Sequence, residues 1–201
     1  MTITIHQPEH LPWCGLLDKI RKSDLFVILD TVQFEKNYFH NRNKTCGELV
    51  TVPVKKHPLA TKIKDIQIDY SSDWVRKYLG TIKRLHSKDK DFARHYEWLD
   101  KTLNKRYEKL ADLNIEIIKY FLYQFNINVP IVIASELDLS EMSGGNDKVK
   151  QICEYFKATK YLSGMGGKNY LTDIGIPIVY NDYQGYKSSA LDLLLCGTSQ
   201  F

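Results

Sequence analysis

The feature that most limits the fold is the run Thr2 to Asp30, where a short apolar strand (ITI) ends at Gln7-Pro8 and the chain enters a polar turn. Proline carries no donor for a continuing ladder, so the strand stops there. GLLDKIRK follows at Gly15 to Lys22, with Leu16, Leu17 and Ile20 on one helical face, and the continuous apolar run LFVILD occupies Leu25 to Asp30. Strand, helix and buried strand form a βαβ unit, and its crossover implies parallel pairing. Ligands of open parallel sheets bind outside the carboxyl ends of the strands. That rule brings His6 to Trp13 and Asp30 to Phe34 to one edge.

LVTVPV at Leu49 to Val54 reads as a strand interrupted by Pro53, and Ile63 to Ile68 alternates like another. From Ser71 the period changes. Apolar residues recur at helical spacing through Trp74, Tyr78, Ile82 and Leu85, then Phe92 to Leu110, then Leu113 to Phe125, which predicts a helical insertion over about 71–126. Beyond Pro130 the α/β pattern returns with the strand IVIASEL, a helix capped by Asn146 and running to Phe156, and strands at Lys160 to Leu162 and Ile176 to Tyr180. The expectation is one α/β domain over residues 1–201, with a mostly parallel open sheet and a helical subdomain in the middle of the chain.

Composition excludes several classes. No stretch approaches the roughly 20 apolar residues of a membrane span, and the first residues lack a secretory signal, which places the protein in the cytoplasm. Cys14, Cys46, Cys153 and Cys196 are widely spaced and form no C-x-x-C pair, so no metal site is read from them and all four are taken as reduced thiols. The net charge of +4 is uneven: Lys36 to Lys64 holds seven Lys or Arg residues against the single acid Glu48. Such a field favours an anionic ligand. The stripe is too short for a nucleic-acid groove.

Three constellations carry candidate chemistry. His6-Gln7-Pro8-Glu9-His10-Leu11-Pro12-Trp13 puts two imidazoles on a proline-stiffened turn; His6 and His10 are candidate catalytic groups, and Gln7 and Trp13 candidate binding groups. This turn is similar to the H-x-x-H or H-x-G-H turn of nucleotidylyl transferases, although its spacing is His-x-x-x-His and no glycine precedes His10. Asp30, ending a buried strand, is placed as a base or a metal ligand. Gln33, Asn41, Arg42, Asn43 and Lys55 follow as a set of amides around cations, suited to a phosphate or carboxylate; an Asx-rich turn between two strands is the plainer alternative for the Asn-Arg-Asn run. The third constellation, Ser163-Gly164-Met165-Gly166-Gly167-Lys168, lets backbone N–H groups approach an anion through Ser163, Gly164, Gly166 and Gly167, or is a simple connecting turn. Ser143 to Asp147 is similar, with helix capping accounting for most of it. No G-x-S-x-G elbow, Walker A loop or Rossmann fingerprint is present.

HQPEHLPWCGLLDKI, KSDLFVILDTVQFEKN, NRNK, LVTVPVKK, ASEL and YLSGMGGKNYL, in that order, resemble the WbqC-like family along nearly the whole chain. That family occurs in gene clusters for O-antigen and related surface polysaccharides, including lipopolysaccharide, and includes a suggested glycine transferase acting on sugars. The resemblance implies tailoring of a nucleotide-linked amino sugar, by acyl or aminoacyl transfer from a small carboxylic or amino acid donor. It implies ATP and magnesium where the acid is activated in this protein. In that reading His6 is the base or the phosphate-orienting group, Asp30 holds the amine, and Arg42 with Lys55 binds the diphosphate or carboxylate; a homodimer is compatible. The alternatives are a non-catalytic scaffold of the same pathway and a nucleotidylyl transferase. Family members commonly have YLPW where this chain has His10-Leu11-Pro12-Trp13, and Trp-Gln where it has Phe39-His40, so roles for His10 and His40 belong to this chain alone.

Overall fold

The computed structural model describes residues 1–140 and 144–198. The expected βαβ unit is present. Strand β1 (Thr2–His6) leads through helix α1 (Cys14–Arg21) to strand β2 (Leu25–Ile28), and the two strands pair in parallel with Ile3 opposite Leu25 and His6 opposite Ile28. The polar segment then forms an antiparallel hairpin, β3 (Arg42–Thr45) and β4 (Glu48–Thr51), in a separate two-stranded sheet. Helices α2 (Trp74–His86), α3 (Phe92–Asn104) and α4 (Leu110–Gln124) fill the region predicted to be helical. Strand β5 (Ile131–Ile133), helix α5 (Gly145–Tyr155), strand β6 (Lys160–Gly164), strand β7 (Ile178–Asn181) and helix α6 (Ala190–Leu195) complete the order.

The main sheet is wholly parallel, in the order β5-β2-β1-β6-β7. Both of its faces are covered, which is why β2 is apolar at every position. Leu25 and Val27 join Ile3 and Ile5 in a core with Val149, Ile152 and Cys153 of α5. Phe26 and Ile28, pointing the other way, join Leu16, Leu17 and Ile20 of α1 and the helical block. Successive side chains of a strand face opposite sides, so one run serves two cores.

This order has a consequence for the site. From β1 the sheet grows one way through β2 and β5 and the other way through β6 and β7. The carboxyl ends of β1 and β6 therefore flank a topological switch point, the usual crevice of an open parallel sheet.

Several boundaries differ from expectation. Residues Ile63–Ile68 do not form a strand: Ile63–Asp65 is a 3-10 turn, and its backbone is bonded to separate segments, Ile63 N–H to Val32 O (2.9 Å), Lys64 N–H to Asp30 O (3.0 Å) and Ile68 N–H to Glu108 O (2.9 Å). Ile63, Ile66 and Ile68 are buried, and only Ile68 has a strand-like partner, in an isolated bridge with Val54. β4 stops at Thr51, before Pro53, and IVIASEL turns into a 3-10 segment at Ala134–Glu136. Asn146 lies inside the first turn of α5 rather than at its cap, and its side chain accepts from Thr172 N–H (2.9 Å). Ser143 lies outside the described residues.

Candidate functional site

The switch point opens into a cleft. One cavity of about 460 Å³ is lined by His6, Glu9, Trp13, Lys19, Gly164 and Tyr183, among others. A second of about 400 Å³ shares His6, Lys19, Gly164 and Gly166 with it and adds Gln7, Ser163 and Gly167. A third of about 500 Å³, sharing Tyr38, Phe39, Asn43 and Lys187 with the first, carries Arg42 and Lys44. The three form a continuous groove with titratable groups at its centre and cations at one end.

His6, Glu9 and Lys19 occupy the centre. Lys19 is 3% exposed, sits on the buried side of α1, and donates to Ile5 O and His6 Nδ1, both at 3.2 Å. Burial drives its pKa down to about 8, against the opposing charge of Glu9. Because Lys19 donates to Nδ1, the His6 proton sits on Nε2 and is given to Glu9 Oε1 at 2.7 Å. His6 leaves 31% of its side chain open. Desolvation by the surrounding walls, and then the charge of Lys19, lowers its pKa and keeps the ring neutral. Glu9 is buried, and its Oε2 has no hydrogen-bond partner among the described residues. A buried carboxylate oxygen left unpaired is costly, and a ligand donor would satisfy it.

The turn that holds these groups is fixed from outside. His10 is fully buried; its Nδ1–H donates to Asn114 Oδ1 (3.0 Å) and its Nε2 accepts from Tyr78 OH (2.8 Å). Burial takes its pKa down to about 4. Asn114 in turn donates to Pro8 O (2.9 Å) and His40 O (2.7 Å). His10 is therefore a structural peg between the turn and the helical block, and the catalytic role expected of it is corrected. His40 also stays neutral: Glu35 N–H donates to its Nδ1 (3.1 Å), its Nε2–H donates to Gln7 Oε1 (2.6 Å), and burial takes its pKa down to about 4. It orients Gln7, which lines the cleft.

The other expected residues divide. Trp13 lies against the start of α1 so closely that a Cβ on Gly15 would sit 2.1 Å from its ring, which explains the glycine there. Gly167 is similarly constrained, because a Cβ would meet Ser163 Oγ at 2.1 Å and Leu171 Cδ1 at 2.7 Å. Ser163, Gly164, Gly166 and Gly167 thus form one wall of the cleft. Asn43 lines it too, but spends its amide on His10 O (3.2 Å) and Leu11 O (2.7 Å). Arg42, Lys44 and Lys187 line the cationic end, and their side chains make no hydrogen bond or ion pair among the described residues.

Four expectations are corrected by placement. Both oxygens of Asp30 are taken by Ser135, from N–H at 3.0 Å and Oγ at 2.6 Å, so it ties the end of β2 to the segment after β5 and lines none of the three cavities. Lys55 is exposed and bonded to Gln67 (3.0 Å), away from the groove. Gln33 is exposed and only pairs its backbone with Lys62. Asn41 is buried and bonds Val52 O (3.0 Å) and Asn37 N–H (3.2 Å), closing its own loop.

Sequence reasoning missed Lys19, Glu9, Tyr38, Phe39 and Lys187 as site residues. Lys19 had a readable signal, a charge beside Ile20 and three residues after Leu16 on the apolar face of a short helix. Tyr38 and Phe39, 48% and 44% exposed, are aromatics that nothing in the core requires.

Among the described residues no helix is long and apolar enough to cross a membrane. No solved structure is significantly similar to the chain. An uncharacterized protein of Mycobacterium tuberculosis (strain ATCC 25618 / H37Rv), Rv1507c, is 28% identical over 196 residues, covering 92% of this chain and 84% of that protein. The model of the WbqC-like protein family matches residues 7–192, nearly the whole length, and the chain belongs to that family.

Proposed function

We propose that the protein transfers an acyl or aminoacyl group, glycyl among them, to the amine of a nucleotide-linked amino sugar. The observation that carries this reading is the chain Lys19–His6–Glu9 at the switch point, ending in the unpartnered Glu9 Oε2. Acyl transfer to an amine forms the C–N bond, breaks the bond from the acyl carbon to its leaving group, which departs as AMP where ATP activates the acid, and needs an acceptor for the amine proton. Glu9 Oε2 holds the amine and takes that proton; His6 Nε2–H fixes the carboxylate through Oε1. Lys19, titrating near pH 8, sets the charge of the assembly at working pH. Glu9 thereby takes the part expected of Asp30. At the other end Arg42, Lys44 and Lys187 bind the diphosphate, and Tyr38 with Phe39 offers faces for the sugar or base.

The test incubates the protein with a panel of nucleotide-linked amino sugars and glycine, with ATP and magnesium or with preactivated glycyl donors. Mass spectrometry then reads acyl gain, and AMP release reports activation. Glu9→Gln should lower kcat about a hundredfold or more while leaving nucleotide-sugar binding intact. No product from any pair, together with no nucleotide-sugar binding by calorimetry, overturns the reading.

A further inference from the structure

A second cluster lies at the turn of the β3–β4 hairpin, outside the chemistry assigned to the cleft. The hairpin turn carries Cys46 in a left-handed conformation (φ 45°), His86 ends α2, and Asp192 lies in α6. One ligand atom from each, the Cys46 sulfur, a His86 ring nitrogen and an Asp192 oxygen, lies within 4.8 Å of the other two. Cys46 Sγ is 3.7 Å from His86 Nε2, and His86 Nε2 is 3.5 Å from Asp192 Oδ1. Zinc bound tetrahedrally to sulfur, imidazole nitrogen and carboxylate oxygen has ligand-to-ligand edges of about 3.3–3.5 Å, from bond lengths of about 2.3, 2.0 and 2.0 Å. Two of the three edges are therefore already within a few tenths of an ångström.

The surroundings are those of a metal site as well. Asp89 Oδ2 accepts from His86 Nδ1 at 2.6 Å, the carboxylate–histidine pairing that turns Nε2 toward a metal. Asp192 Oδ2 accepts from Cys46 N–H (3.2 Å), Ser188 Oγ (2.9 Å) and Tyr186 OH (3.2 Å), while Oδ1 accepts from the Thr45 hydroxyl (2.5 Å), which bridges it to His86 Nε2. His86 and Asp192 are 0% and 3% exposed at their side chains, whereas Cys46 is exposed and gives a path of entry. A Cys–His–Asp nucleophile is the less fitting reading, because the Thr45 hydroxyl, 2.7 Å from Nε2, is nearer that nitrogen than the thiol is.

We propose that Cys46 Sγ, His86 Nε2 and Asp192 Oδ1 bind one zinc-class divalent ion, with water at the fourth corner. Binding displaces the thiol proton and any proton on Nε2, and moves the Thr45 hydroxyl from between His86 and Asp192 into an outer position. The soft thiolate and the imidazole select zinc over magnesium or calcium. The ion joins the hairpin turn, the end of α2 and α6, and so clamps β3, the strand that brings Arg42 to the groove. It does not depend on the reaction assigned to the cleft.

The full chain, stripped with chelator, is titrated with cobalt(II) and with zinc. One equivalent of cobalt should give a thiolate-to-metal charge-transfer band and the visible bands of tetrahedral coordination, and zinc should displace it. Cys46→Ser should lose the charge-transfer band, Asp192→Asn should bind at least tenfold more weakly, and Cys153→Ser, altered in a separate core, should match the unmodified protein. In the unmodified protein, zinc should protect Cys46 from alkylation, located by mass spectrometry, and raise the melting temperature. Absence of the thiolate band, its persistence in Cys46→Ser, or an unprotected Cys46 at saturating zinc overturns the site.

Discussion

Lys19→Met removes the charge at the centre of the cleft and keeps most of the side-chain volume, which makes it a direct measure of what burying that charge costs. The folded-state pKa of Lys19 is about 8 and the unfolded-state value is 10.5. Between those values the unfolded chain binds more protons than the folded one, so the contribution of Lys19 to stability rises with pH. Below pH 8 the penalty is constant, at about 3 kcal/mol from the difference between the two pKa values. From pH 7 to pH 10 about 2.5 kcal/mol of it is relieved. Methionine leaves Ile5 O and His6 Nδ1 without the donor they have now, and that loss is the same at both pH values. The stability difference between Lys19→Met and the unmodified protein should therefore shift by about 2.5 kcal/mol in favour of the unmodified protein on going from pH 7 to pH 10. Urea denaturation followed by circular dichroism at both pH values, with m-values checked for constancy, gives the number. Parallel stability curves, separated by a constant amount, would refute a depressed Lys19 and remove its role as a titrating group at working pH.

Two further outcomes follow from the groups that shape the cleft. Asn114→Leu strands the carbonyls of Pro8 and His40 and the Nδ1–H of His10, all buried, and should cost at least about 3 kcal/mol, roughly 6–12 °C in melting temperature for a chain of this size; a loss below about 1 kcal/mol shows that the turn holds itself. Gly167→Ala drives a methyl group into Ser163 Oγ and should cost about 1–3 kcal/mol and weaken ligand binding in the groove, whereas Gly166→Ala, where a Cβ meets open space, should melt within about 1 °C of the unmodified protein. Equal melting temperatures for the two alanine variants would contradict the packing described for that wall.

The parts of the fold legible in the sequence are those whose hydrogen bonds stay within a helix or whose apolar pattern is forced by burial on two sides. The βαβ unit is the clearest case, since ITI, GLLDKIRK and LFVILD each state their own period and their own end. The three middle helices are legible for the same reason. The hairpin is harder: Arg-Asn-Lys-Thr has no strand signature, and it is extended because Asn43 and Lys44 face Val50 and Leu49 across the ladder. Ile63 to Ile68 misleads in the opposite sense. Its isoleucines are core residues, but their burial comes from contact with three separate segments, and alternation alone cannot distinguish that from a strand.

The candidate site shows the same division at the level of single side chains. His6, His10 and His40 are alike in type and all lie in polar, ring-rich sequence, yet only His6 faces the cleft centre between two titratable partners. What separates them is set mostly by residues far along the chain: Asn114 and Tyr78 consume both nitrogens of His10, while Gln7 and the nearby Glu35 N–H consume those of His40. A histidine whose two nitrogens are already spent on neutral partners in the core has no proton to exchange with a ligand. His6 differs because its partners are Lys19 and Glu9, a cation near its titration point and a carboxylate with one oxygen unpaired. The proline-stiffened turn, which is local and readable, sets the spacing of the two imidazoles; the helical block, which is not local, takes one of them out of the chemistry. The helical block thereby fixes the mouth of the cleft through Asn114 and His10, which is why the Asn114→Leu variant reports on the site as well as on the fold.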